Sequence, residues 1–126
     1  MKNTSKLSNS MQIKIAEDFS KAPAGRYESD GPANGTTFRK KILEPNLRNK
    51  DLTDLYINFD DTYSYGSSFL EEAFGGLIRE SKIPFKDLEA KLHLEAEKPA
   101  YKRYCDLAWR YINAEEEKHS SQALHT

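Results

Sequence analysis

Two hydrophobic periods stand back to back between residues 54 and 78, and few folds accept them in that order. Leu55, Ile57 and Phe59 alternate with Tyr56, Asn58 and Asp60. Period-two alternation marks a half-buried strand over residues 54–60. A turn, Asp61 to Gly66, follows at once. Phe69, Leu70, Ala73, Phe74, Leu77 and Ile78 then recur at helical spacing, giving one broad apolar face, and Pro84 lies beyond the helix end. A strand that feeds a helix through one short turn is the repeating unit of an α/β fold.

The flanks supply more of the same. Met11 to Ile15 alternates and predicts a short strand over residues 11–15. Residues 18–34 carry Pro23, Gly25, Gly31 and Pro32 and read as a long loop, a kind of segment often tied to function. Gly35-Thr36-Thr37 opens a helix, with Thr36 or Thr37 as its cap and Phe38, Ile42 and Leu43 as its apolar stripe. Pro45 lacks an N–H and predicts an end or kink near Leu43. Residues 88–95 alternate and predict a third strand, although their Leu, Ala, Glu and Lys are good helix formers. Tyr101, Tyr104, Cys105, Ala108, Tyr111 and Ile112 mark a last helix opening near Pro99.

The order is β-α-β-α-β-α, an α/β domain with a small mixed sheet. The strands alternate, whereas a sheet buried on both faces reads as continuous apolar runs. The helices are therefore expected mainly on one face. Lys14, Tyr56, Asn58, Lys91 and His93 are expected on the wet face. The 126 residues fit a single domain. Residues 1–10 and 115–126 read as polar tails, with the folded part at 11–114.

Charge and cysteine usage exclude several function classes. Nineteen basic residues face twenty acidic ones, so the basic excess that phosphate-backbone binding needs is missing, and no nucleic-acid partner is expected. Arg39-Lys40-Lys41 is a short basic run that reads as a solvated helix face. One cysteine, Cys105, forbids a disulfide within the chain and points to a reducing compartment. Met1 to Ser10 is polar without the apolar stretch of a secretory signal, and no apolar run approaches the roughly 18 residues of a membrane span, so a cytoplasmic protein is expected.

Catalytic chemistry finds little footing. Asp60 and Asp61 are adjacent on an extended chain, point apart, and fit turn chemistry better than an acid/base pair. His93, His119 and His125 show no ligand spacing with Cys105 or one another, so no metal is expected, and no cofactor motif is present. Cys105 reads as a buried thiol, and Tyr101, Tyr104 and Tyr111 as core-edge aromatics. No constellation meets the geometry of a catalytic site, and a non-enzymatic chain is expected.

Two sites stand out for binding. Ser68 and Glu71 have the spacing of a capping box, and a phosphate at such a helix N-terminus would meet free N–H groups and the positive end of the dipole. The segment before the first helix, Gly31 to Thr37, lacks the ending of a phosphate loop. It still suggests a generic anion site built from Arg26, Gly35, Thr36 and Arg39. Gly75-Gly76 inside a helix costs about 1 kcal/mol per glycine relative to alanine and suggests close backbone packing.

Four segments carry a resemblance. Leu55-Tyr-Ile-Asn-Phe-Asp60 and Gly66-Ser-Ser-Phe-Leu-Glu-Glu-Ala-Phe-Gly-Gly-Leu-Ile78 are the more specific pair. Gly25-Arg-Tyr27 and Thr37-Phe-Arg-Lys-Lys-Ile-Leu-Glu-Pro45 add to them. Together they resemble the bacterial STAS-like domain of unknown function, over roughly residues 11–95. The resemblance implies a single STAS-like domain related to anti-sigma-factor antagonists, a non-enzymatic signalling module. It implies a protein partner, a histidine-kinase-like ATPase or anti-sigma-type protein, bound at the strand-turn-helix. Carried over by position, Ser67 is the phosphoacceptor, and Tyr63, Tyr65, Gly66, Ser67, Ser68, Glu71 and Glu72 form the partner-binding surface. Gly66 stands where the antagonists have Asp, and Phe69 where they have Gly. Glu71 and Glu72 add like charge near Ser67 and oppose a phosphate there. The alternative reading is a small-molecule or nucleotide sensor that uses loop 18–34 and the helix start at Gly35.

Overall fold

The computed structural model describes residues 9–124. Three strands form one sheet in the order β1-β2-β3: β1 is Ser10–Lys14, β2 is Asp54–Asn58 and β3 is Leu92–Glu95. Both pairings are parallel, with Ile13 opposite Ile57 and Tyr56 opposite His93. The expected mixed sheet is thus parallel throughout. The reason lies in the connections. Each contains at least one helix, and a helical crossover returns the chain to the same end of the sheet.

Ile15–Asp18 makes a single helical turn, α1, so Ile15 leaves the first strand and enters the core. The long loop is broken only by a short 3-10 turn at Glu28–Asp30. Residues 35–47 then form one helix, α2. Its cap is Asn34, whose side chain accepts the Thr37 N–H at 2.8 Å, in place of the expected threonine. The helix does not stop before Pro45. It widens into a π turn over Arg39–Leu43, with the Glu44 N–H donated to the Arg39 carbonyl, and continues as Glu44–Leu47. The wider turn carries the helix past the residue that lacks an N–H.

Residues 67–79 form α3, again with a central π turn, Glu71–Gly75. The expected strand at 88–95 is divided. Phe85–Lys91 is a helix, α4, and only Leu92–Glu95 pairs with β2. Helix propensity prevails where no neighbouring strand is available. The last helix, α5, runs Pro99–Leu124, through most of the stretch expected to fray. Glu115, inside that stretch, is buried and bonds Arg79 Nη1 at 2.8 Å. At the other end, Asn9 N donates to Thr53 Oγ1, and residues 1–8 of the expected tail lie outside the described residues.

Leu55, Ile57 and Phe59 are fully buried, as are Phe38, Phe69, Phe74, Leu77, Leu88 and Ile112 from the helices. The rings of Phe59 and Phe74 lie 5.7 Å apart, and those of Phe38 and Phe69 also 5.7 Å apart. The opposite face of the sheet carries Gln12, Lys14, Tyr56, Asn58 and His93, all exposed or half-buried, as the alternation predicts. There Tyr56 stacks on His93 at 4.4 Å, and His93 Nε2 lies 2.8 Å from Asp54 Oδ1. Lys91 is the exception: it ends α4 and donates to the carbonyls of Leu47 and Asn49. No helix among the described residues is long and apolar enough to cross a membrane.

Candidate functional site

The turn between β2 and α3 is held from three sides. Asp60 accepts the backbone N–H groups of Glu97 at 2.9 Å and Lys98 at 3.1 Å, tying the end of β2 to the segment after β3. Asp61 has a positive φ of 75°. Its carboxylate sits between the ammonium groups of Lys14 and Lys98. Those two lysines pull its pKa down to about 2. The two aspartates therefore face different partners and build the turn. Tyr63 N donates to the Lys21 carbonyl at 2.7 Å, which pins the third side.

Within this frame the expected partner-binding residues divide. Tyr63 is 80% exposed, and Ser67 and Ser68 are exposed. Tyr65 is buried, and its hydroxyl donates to the Phe59 carbonyl at 2.8 Å. Burial pushes its pKa well above the usual phenol value. Gly66 is the N-cap of α3, and no side chain caps the helix. The Ser68–Glu71 capping box does not form, because Glu71 is taken by arginines.

Those arginines organise the interior behind the turn. Arg39 Nη1 reaches Glu72 Oε2 at 2.9 Å and the Glu72 carbonyl at 2.7 Å. Arg39 is 3% exposed, and so is Glu72. Arg79 bonds Glu71 at 2.8 Å, Glu72 at 3.1 Å and Glu115 at 2.8 Å. Arg26, from the long loop, pairs with Glu71 and lies 3.3 Å from Glu72. Burial pushes the Glu72 carboxyl up, but the hydrogen bonds from Arg39 and Arg26 outweigh it and hold its pKa low. Glu71 is held low in the same way by Arg79 and Arg26 against its own burial. Glu71 pulls the Arg79 pKa up in return.

The glycines of α2 and α3 make room for this arrangement. A Cβ on Gly76 would run into Arg39 Nη1. A Cβ on Gly35 would lie 2.7 Å from the Phe69 carbonyl oxygen, so α2 and α3 cross closely there. The expected anion site is filled by the chain itself. Gly35 N donates to the Gly25 carbonyl at 2.9 Å, Thr36 N to the Arg26 carbonyl at 3.1 Å and Thr37 N to Asn34. The guanidinium groups of Arg26 and Arg39 face glutamates.

The sequence model of one family, described as a STAS-like domain of unknown function, matches residues 34–102. The chain belongs to that family. No curated protein and no solved structure matches it. The matched stretch of this STAS-like domain includes α2, β2, the turn, α3 and β3. Arg26 and Glu115 lie outside the matched residues yet complete the network. Sequence reasoning left out Arg79 and Glu115. Arg79 had a local signal, since it stands seven and eight positions after Glu72 and Glu71, two helical turns along one face. Glu115 had none for its bond to Arg79, which is 36 positions away.

Proposed function

We propose that this STAS-like domain is a non-enzymatic signalling module that binds a protein partner through the turn Tyr63 to Ser68. The exposure of Tyr63, with Ser64, Ser67 and Ser68 exposed beside it, is the observation that supports the reading. A large exposed aromatic on a fixed base is the side chain from which interface anchors are made. The surface continues onto α5, where the Tyr104 ring lies 5.0 Å from Tyr65. Arg103, Tyr104, Leu107 and Arg110 line a shallow depression there. Among the described residues Arg103 and Arg110 have no carboxylate partner, whereas Arg26, Arg39, Arg48 and Arg79 each have one. That favours a partner with acidic groups around an apolar anchor. The family resemblance points to a kinase-like ATPase or anti-sigma-type protein.

Ser67 is the proposed switch. It is the first residue of α3, exposed, with no side chain closing the helix end. A phosphate would add about −1.5 to −2 charges at that point. Glu71 and Glu72 oppose it less than their sequence positions suggest, since arginines already meet their charge. The test is reconstitution with the native kinase-like partner. Ser67→Asp and Tyr63→Ala should each weaken the complex by about tenfold, the loss of one hot-spot contact. Both should leave the thermal midpoint unchanged. Undiminished binding in both variants refutes the assignment of this surface. The sensor reading has less support, because the N–H groups at the start of α2 are already bonded. A nucleotide thermal-shift screen, with Arg26→Ala as control, checks it.

A further inference from the structure

The opposite end of the sheet carries a groove with different chemistry. It occupies about 560 Å³ and is lined by residues that precede β2 and β3, including Leu47, Ile83, Pro84 and Ala90. Four cations border it, Arg48, Lys50, Lys82 and Lys91, against one carboxylate, Asp87. Arg48 is already committed to Glu44 and to the Ser81 carbonyl. Lys91 is held by two backbone carbonyls, and Lys50 and Lys82 have no carboxylate within 4.0 Å among the described residues. Three ammonium groups facing one carboxylate leave an excess of two positive charges over an apolar floor.

The backbone at Lys82 is the second observation. Past the end of helix α3 the chain folds back, with Ile83 N donated to the Leu77 carbonyl at 3.0 Å. Lys82, in that turn, is left-handed, with φ 60°. Left-handed backbone favours glycine, because a Cβ is strained there. The residue in this conformation is one of the lysines that line the groove.

We propose that this groove binds a small organic phosphate. The dianion would lie between Lys50 and Lys82 with Lys91 behind it, and its apolar body on Leu47, Ile83, Pro84 and Ala90. A phosphate monoester carries about two negative charges near neutral pH, which matches the excess, and lysine acts as a point-charge phosphate binder. The volume is within the range of small-molecule sites, about 300–1,000 Å³.

Calorimetric titration of the full chain at low salt, with phenyl phosphate, inorganic phosphate and benzoate, tests this. Phenyl phosphate should bind one to one and more tightly than either of the others. Lys50→Ala and Lys82→Gly should each weaken it about tenfold, as expected for a hydrogen bond to a charged group. Lys82→Gly should leave the thermal midpoint unchanged or raise it, which separates ligand binding from folding. No saturable binding, equal affinity for benzoate, or unaltered affinity in both lysine variants overturns the proposal.

Discussion

Gly76→Ala puts the packing of the Arg39–Glu72 pair to a direct test. The new Cβ would collide with Arg39 Nη1 and lie 3.0 Å from its Cζ and 3.2 Å from its Cδ. Arg39 has no route to solvent, being 3% exposed and held by two bonds to Glu72. To clear the new Cβ the guanidinium must shift, and Nη1, the atom it meets, is the one that bonds Glu72, so the pair is expected to break. Breaking a buried ion pair costs about 3–5 kcal/mol. Alanine returns about 1 kcal/mol of helix propensity. The net expectation is a loss of about 2–4 kcal/mol, the difference of those two terms. Urea unfolding of the variant measures it. The same substitution in an Arg39→Met background removes the collision, so Gly76→Ala should there be neutral or stabilising by up to about 1 kcal/mol. An equal loss in both backgrounds, or a gain in the parent chain, refutes the reasoning.

Two further outcomes concern pH. Glu71 and Glu72 have folded pKa values below their ordinary range, so their contribution to stability is full above about pH 4.3, the unfolded value, and is lost as pH falls through the folded values. Glu72→Gln should flatten the stability–pH slope below about pH 4, read by urea unfolding across the acid range; an unchanged slope counts against the network as the acid-sensitive element. Asp61 should titrate near pH 2 by carboxyl-carbon NMR. In the Lys14→Ala, Lys98→Ala double variant its midpoint should return to about 3.9, and a midpoint still near 2 assigns the shift to some other cause.

Strand β2 and the apolar face of α3 were legible because their periods are local. Leu55, Ile57 and Phe59 alternate, and Phe69 to Ile78 recur by helical turns, and both sets are buried. The direction of the strands was not legible. Alternation reports only that one face is wet, and here a parallel sheet leaves one face wet because the helices crowd the other. The break between α4 and β3 was hidden in residues 88–95, where Leu88 and Leu92 fit both a period of two and a helical turn. Glu71 and Glu72 read as an exposed acidic first turn because, Arg79 apart, their partners are distant. Arg26 and Arg39 stand 45 and 33 positions away, and no local pattern reports such pairs.

Two neighbouring helices thus meet through charge at one point of an otherwise apolar contact. An apolar pair of similar volume in place of Arg39 and Glu72 would hold the helices together as well or better. It would not tell them where to stop. Moving α3 by one residue so that Ala73 takes the place of Glu72 turns Glu72 about 100° away and leaves the buried Arg39 without its carboxylate. The pair works as a registration mark between α2 and α3, set against the shift that would bring Ala73 to Arg39. The turn that begins α3 inherits that alignment, so Tyr63 and Ser67 are presented at a fixed place on the surface.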